Sequence, residues 1–382
     1  MITYLTFYIL TLGAGLLIRR KVTTWIFLLL VFLFIGLRKD TGFDWNVYQD
    51  VFMGLAEDFS PESFAYFSFL YRQELVFLFF TGALGRLVPN YEFYQATIAA
   101  LLIWSTVTLT RAVGVTKVPM VIALIMTYLL WSVAFSTLRQ SLAISIFNFG
   151  LAFLLKGKKY RGAGLFAIAP FLHTSSIIYI ITYLATWFLY RGQKPPRIRS
   201  FILVVVASGL SAPFLIQIAS SVSSSVASRV EWYQSFEFSV GMLEIFFILF
   251  FLLCALLASK KMTRMSEIDE AGIKLRQVLL IMAAVGASSV VFPIVRDRVS
   301  YEVFILASIC LMMPGMRYRR YFIGALASFG IFISSINMFP FPNSLVFIPY
   351  QNVITQALTG SESTGRARNQ EFMSRFNEIM FD

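Results

Sequence analysis

Residues 119–155 read PMVIALIMTYLLWSVAFSTLRQSLAISIFNFGLAFLL, a stretch of 37 residues with one charge, Arg139. A helix crossing a bilayer needs roughly 20 apolar residues. The stretch is nearly twice that long, so it reads as two crossings, Pro119–Thr137 and Leu138–Leu155, with Arg139 at the junction and no loop between them. A charge at that depth calls for a partner or a water-filled cavity, and function is its default reading.

The rest of the 382-residue chain has the same character. It is 58% hydrophobic, 14% charged and 16% aromatic, with a mean hydropathy of +0.74. Soluble domains carry about 45–50% apolar and about 25% charged residues, so a soluble enzyme is excluded, and so is a disordered chain. Further apolar runs lie at 2–18, 22–37, 91–110, 162–172, 175–190, 200–219, 240–258, 275–295, 299–315 and 321–337, giving twelve candidate crossings. A thirteenth run, Leu75–Val88, is short and holds Gly82, Gly85 and Arg86. The chain reads as a single all-α polytopic membrane domain over 1–382. Three segments are expected outside the helices: an outer loop, 38–73; a Ser-rich outer loop, 220–239; and an outer C-terminal tail, 339–382, ending in a polar, helix-like segment.

The net charge of +12 would in a soluble protein point to nucleic acid. Here the positive-inside rule explains it first. With the N-terminus outside and Leu75–Val88 re-entrant or lying on the surface, the inner loops and the adjacent Arg276 carry 21 of the 32 basic residues. Nine of the ten lysines are inside, and Lys39 alone is outside. No basic residue precedes the first apolar run, so it is not expected to be a cleaved signal peptide. Cys254 and Cys310 lie in apolar runs and form neither a zinc pattern nor a likely disulfide framework. The sequence has no His-Glu-x-x-His, no Asp-rich metal motif, no Gly-x-Ser-x-Gly elbow and no Walker loop.

The informative polar residues are those on the outer side. Arg38 follows an apolar run, and Gly42 permits a turn returning Asp44 towards it; the pair is either a loop-folding ion pair or an anion or sugar contact. His173, the one histidine, sits at the hairpin Pro170-Phe-Leu-His-Thr-Ser-Ser176. It is either a hydrogen-bonded core residue or a ligand contact suited to general-base work. Arg296, Asp297 and Arg298 form the expected turn between two crossings, and Arg229 lies in the Ser-rich loop. Arg38, Arg139, His173, Arg296 and Arg298 thus fall on one outer face. The planar fork of arginine suits phosphate and pyrophosphate.

Five ordered motifs resemble the EpsG/Wzy family of bacterial exopolysaccharide and O-antigen polymerases. They are Gly36-Leu-Arg38 with Gly42, Asp44 and Tyr48; Arg139-Gln140 with Ala143; Phe171-Leu-His173-Thr-Ser-Ser176; Arg298 with Tyr301 and Phe304; and Ile348-Pro-Tyr350. Glu74 departs from the pattern, since relatives often read Glu/Asp-Pro-Gly where this chain reads Glu-Leu-Val.

The resemblance implies an architecture like that of the lipid-carrier glycosyltransferases (GT-C-like). It implies a multi-pass protein of the bacterial inner (cytoplasmic) membrane whose site faces the periplasm or exterior. A growing glycan would leave polyprenyl (undecaprenyl) pyrophosphate for a hydroxyl of the next lipid-linked repeat unit, with inversion and without a metal or other cofactor. Arg139, Arg296 and Arg298 would hold the pyrophosphate, and His173 would accept the proton. Arg38, Asp44 and Tyr48 would shape the acceptor site, or Asp44 would be the base. Gln140, Arg229, Tyr301 and Tyr350 would add substrate contacts. Partners would be the lipid-linked oligosaccharide, the bilayer, a chain-length regulator and a flippase, with no nucleic acid. A ligase passing finished polymer to a lipid core, or an exporter of lipid-linked glycans, are the other readings.

Overall fold

The computed structural model describes residues 2–190, 196–208, 241–259, 262, 267–290, 292–338 and 343–381. Among them are seventeen α-helices and no strand. Four helices are long and apolar enough to cross a membrane: Tyr91–Ala112 (α6), the pair Val118–Leu129 (α7) and Leu130–Ser136, Leu138–Leu155 (α8) and Glu270–Ser288 (α13). Shorter apolar helices are Ile2–Leu17 (α1), Lys21–Gly36 (α2), Leu75–Leu87 (α5), Ser176–Leu189 (α10), Ile198–Ser208 (α11) and Met242–Ala258 (α12). The chain divides into two compact units, one of Met1–Ile177 with Arg320–Asp382, the other of Ile178–Arg319.

The junction in the 119–155 stretch is built by its few hydroxyls. Leu130–Ser136 winds as a π-helix, and Thr137 breaks the chain before α8. A widened turn and a helix start leave backbone groups without their usual partners. Ser136 donates to the carbonyl of Trp131 at 2.8 Å, Thr137 to that of Ser132 at 2.8 Å and Ser141 to that of Val133. These side chains satisfy the loosened carbonyls, and Arg139 is left on the first turn of α8. Further down, α8 and Lys159–Leu172 (α9) cross where Gly150 meets Gly162. A Cβ on Gly162 would lie 2.8 Å from the Gly150 carbonyl, and Phe147 stacks on Phe166 beside the crossing at 4.8 Å.

The expected outer loop 38–73 is largely helical, which corrects the sequence reading. Trp45–Glu57 (α3) buries Trp45, Tyr48, Val51, Phe52 and Leu55 on one face, the spacing of an amphipathic helix. Pro61–Tyr71 (α4) begins at Ser60, whose hydroxyl accepts from the Ser63 N–H at 3.2 Å, with Pro61 in the favoured first position. Leu75–Leu87 spans roughly 20 Å at 1.5 Å per residue, short of the ~30 Å hydrocarbon core.

In the second unit, the expected turn at Arg296–Arg298 is instead helical, within the first two turns of Pro293–Met312 (α14). The preceding helix ends earlier, at Ser288, and Pro293 starts the next one. Arg276 is buried and donates to the carbonyls of Leu257 and Cys310 near the C-terminal ends of α12 and α14, where carbonyls lack helical partners. Cys254 and Cys310 are buried free thiols. The Ser-rich segment 220–239, with Arg229, lies outside the described residues.

Arg319–Met338 (α15) returns the chain to the first unit, and the tail then straps the α2–α3 loop. Arg38 and Asn352 form an antiparallel bridge. The Lys39 N–H donates to Gln351 O at 2.9 Å, and the Val353 N–H to Leu37 O at 2.9 Å. After Val353–Thr359 (α16), Gly365–Phe381 (α17) brings Arg368 onto the loop. Its guanidinium donates to Leu345 O (3.1 Å), Pro349 O (3.2 Å) and Gln351 Oε1 (3.0 Å), while Ser363 donates to Asp40 Oδ2. Hydrogen bonds to a charged group contribute about 1.5–3 kcal/mol each. Arg368→Ala is therefore expected to lower the thermal midpoint in detergent and expose 343–364 to protease. Arg368→Lys should rescue little, since an ammonium cannot spread over three acceptors held by a planar fork.

Candidate functional site

Three helix ends of the first unit meet around one carboxylate. Glu74 immediately precedes α5, Arg139 is the second residue of α8, and His173 directly follows α9. Each lies within three residues of a side chain in one hydrophobic cluster, which includes Phe77, Leu138 and Leu172 together with Tyr48, Tyr91 and Tyr94. The packed cluster fixes the three polar groups from below.

Arg139 Nη1 donates to Glu74 Oε2 at 2.9 Å and to Arg72 O at 3.0 Å. Arg72 holds a left-handed conformation, φ +49°, that aims its carbonyl. Glu74 Oε1 accepts from the Thr174 N–H at 2.9 Å and the Thr174 hydroxyl at 3.0 Å, and lies 3.3 Å from His173 Nδ1. Burial raises the Glu74 pKa. The His173 hydrogen bond, the Arg139 charge and the Thr174 N–H outweigh it and hold the carboxyl at about 2. Tyr48 hydrogen-bonds the Arg139 side chain, and Arg139 Nε is buried without a partner. Beside this, Ser175 donates to Gln140 Oε1 at 3.0 Å. The Glu74 and His173 side chains are each 16% exposed and that of Arg139 22%, so the cluster is sheltered and still reachable.

The other residues singled out in the sequence are placed as follows. Arg38 is buried, with Nη1 on Ile35 O at 2.9 Å, Nη2 on Phe135 O at 3.1 Å and its guanidinium over the Phe135 ring at 5.2 Å. It thereby ties the α2–α3 loop to the π-turn. Gly42 (φ +117°) lies so close to the Phe135 carbonyl that a Cβ could not fit. Asp44 stands at the N-terminal cap position of α3, one turn from Tyr48. Tyr350 stacks on Phe34 at 4.5 Å, donates to Phe34 O and accepts from Asn352 Nδ2 at 3.0 Å.

In the second unit, Arg296 is buried and lies over the Phe247 ring at 4.3 Å. It pairs with Glu244 at 3.0 Å and Asp297 at 2.9 Å. The Arg298 guanidinium is 6.0 Å from the Tyr301 ring, and its carbonyl accepts from Tyr179 at 2.6 Å. Among the described residues, no three His, Cys, Asp or Glu side chains gather as metal ligands.

Glu74 and Thr174 are the contributors that sequence reasoning did not place. Acidic residues are expected on the outer side, so charge asymmetry gives Glu74 no prominence. Its signals are position, a carboxylate just before a short apolar run, and the family pattern that begins at that residue and is broken after it.

The EpsG family model matches residues 21–352. The chain belongs to the EpsG family. Membership points to a membrane-embedded polysaccharide polymerase. No curated protein and no solved structure matches it. In this EpsG-family chain the matched region holds Glu74, Arg139, His173 and the Arg38 loop, while α16 and α17 fall beyond it.

Proposed function

We propose that this EpsG-family protein transfers a growing glycan from polyprenyl pyrophosphate to a lipid-linked repeat unit at the outer leaflet of the bacterial cytoplasmic membrane. It does so with twelve crossings and α5 as a re-entrant helix. The observation that carries this reading is the single carboxylate shared by Arg139 and His173.

His173 Nδ1 lies 3.3 Å from Glu74 Oε1; in the proposed mechanism it donates to that carboxylate, and Nε2 takes the part of proton acceptor. This is the role a carboxylate plays behind a catalytic imidazole. The acceptor hydroxyl attacks the anomeric carbon as its proton passes to Nε2. The carbon–oxygen bond to pyrophosphate breaks, and the electron pair leaves with the phosphate. Arg139 meets the developing negative charge. Glu74 anchors its fork through Nη1. Because the guanidinium supplies the cation, no divalent metal is required. Attack opposite the leaving group inverts the anomeric centre. Tyr48 and Gln140 border the acceptor, and Asp44 lies one helical turn further on. Arg38 and Tyr350 act by holding the loop. Arg296, clasped by two carboxylates, takes a structural role.

The test is the purified protein in vesicles with a lipid-linked repeat unit as sole substrate and a chelator present. A ladder of products is expected, and His173→Ala should give none while inserting normally. Product only after a lipid-core acceptor is added would make the protein a ligase. No chemistry under any condition would make it a transporter.

A further inference from the structure

The short helix α4 is amphipathic in the reverse sense of a helix on a water-facing surface. Its exposed positions are 61, 62, 65, 66, 69 and 70, one stripe at helical spacing. Past the first turn that stripe is wholly apolar: Ala65, Tyr66, Phe69 and Leu70, with Phe69 88% exposed. The polar side chains lie off it. Ser63 donates to Asp58, and Ser68 to the Gln73 carbonyl at 3.0 Å. On the packed side, Phe64, Phe67 and Tyr71 are partly buried against Val51, Leu55 and Leu78. Charges occur only at the ends, Glu62 in the first turn and Arg72 just past the last. Single exposed apolar residues are ordinary, but a continuous apolar stripe asks what covers it.

The place of the stripe supplies the answer. α4 ends at Arg72, whose carbonyl accepts from Arg139 at the start of α8. α5 then runs to Asn90, whose side chain caps α6 by accepting from the Phe93 N–H at 2.7 Å. α6 and α8 are long and apolar enough to cross a bilayer, and both begin here. Both ends of α5 are thus held where crossings start, and Leu75 and Phe79 of α5 are exposed as well. Charges bracketing an apolar face are the pattern of a helix lying in a membrane surface, and Tyr66 is of the amphipathic type enriched at that level. Arg72 adds a complementary charge. It is exposed, and its side chain makes no ion pair among the described residues.

We infer that α4 docks on the outer leaflet of the bilayer, with Tyr66, Phe69 and Leu70 among the acyl chains and Arg72 on the phosphate of an anionic phospholipid. The corner after α4 carries the Arg72 carbonyl and Glu74, so lipid seats one wall of the candidate site. The segment read from the sequence as an outer loop is in this way a membrane anchor. The docking does not depend on the chemistry proposed above.

The experiment uses full-length protein in vesicles of phosphatidylcholine and phosphatidylglycerol, with Cys254→Ala and Cys310→Ala as background and a nitrobenzoxadiazole label on one new cysteine. A label at Phe69→Cys or Tyr66→Cys should be quenched by phospholipid brominated on its acyl chains, and should be about tenfold less accessible to iodide than one at Glu62→Cys. Two label sites keep the test valid if one variant fails to fold. At Phe69→Cys, brominated phosphatidylglycerol should associate about fivefold more tightly than brominated phosphatidylcholine, and Arg72→Gln should remove that preference. Equal iodide access at 62, 66 and 69 would overturn the docking. So would cross-linking of Phe69→Cys between two copies, which would make the stripe a protein contact. A preference for phosphatidylglycerol unchanged in Arg72→Gln would overturn the phosphate contact. None of these readouts needs turnover, so they stand or fall apart from the product ladder.

Discussion

Replacing Glu74 by Gln is expected to stop polymer formation while the protein still inserts and folds. The amide has nearly the shape of the carboxylate but no charge. It can still accept from Thr174. It no longer balances Arg139, and it no longer favours the His173 tautomer protonated at Nδ1. Loss of a positioned general base costs typically 10²–10⁴-fold, and a rate loss in that range is expected in the vesicle assay.

The same substitution has a stability signature with a defined sign. The folded-state pKa of Glu74 is depressed to about 2, against about 4.3 for a free Glu. Its contribution is therefore complete above about pH 4.3 and is lost as pH falls towards 2, amounting to roughly 3 kcal/mol. Wild-type thermal midpoints should drop between pH 6 and pH 3 by more than those of Glu74→Gln. Equal drops would show that the carboxylate is not held as described. Between pH 5 and 8 Glu74 stays ionised, so any pH dependence of turnover there belongs to another group.

Arg139→Lys is the second large effect. Lysine keeps the charge and loses the fork, so it cannot hold Glu74 and Arg72 O while presenting further donors to the leaving group. A fall in kcat of about 10²–10³-fold is expected, with little change in KM for the acceptor unit, the pattern of an interaction made in the transition state. Arg139→Lys combined with Glu74→Gln should cost far less than the product of the two, since both act through one contact. Wild-type turnover by Arg139→Lys would remove Arg139 from the chemistry.

Arg139 and His173 were legible because each breaks a rule: a charge inside a long apolar stretch, and a lone imidazole at a short hairpin. The break at Thr137 was legible too, since the stretch is too long for one crossing. Glu74 obeyed the charge rules, and its departure from the family's Glu/Asp-Pro-Gly pattern said nothing of its partners. Its importance comes from pairing across 65 residues to Arg139 and about 100 to Thr174, which no local pattern reports. Arg38 reads in the sequence as a partner of Asp44 or as an anion or sugar contact at the outer surface. Its donors go to the carbonyls of Ile35 and Phe135, and the widened turn holding Phe135 could not be foreseen from spacing. α3 and α4 were read as loop because their polar faces dilute hydropathy, although the 45–48–52–55 spacing was there to be seen.

The strap over the α2–α3 loop sets a timetable for making the protein. Asp40 meets Ser363 across 323 residues, and Tyr350 reaches Phe34 across 316. At translation rates of about 5–20 residues per second, the loop waits on the order of half a minute after synthesis before its clamp exists. During that interval the nascent chain is threaded into the membrane with Arg38 lacking its bridge to Asn352. A ribosome that stalls before residue 343 thus leaves an inserted bundle whose Arg38 loop is unclamped.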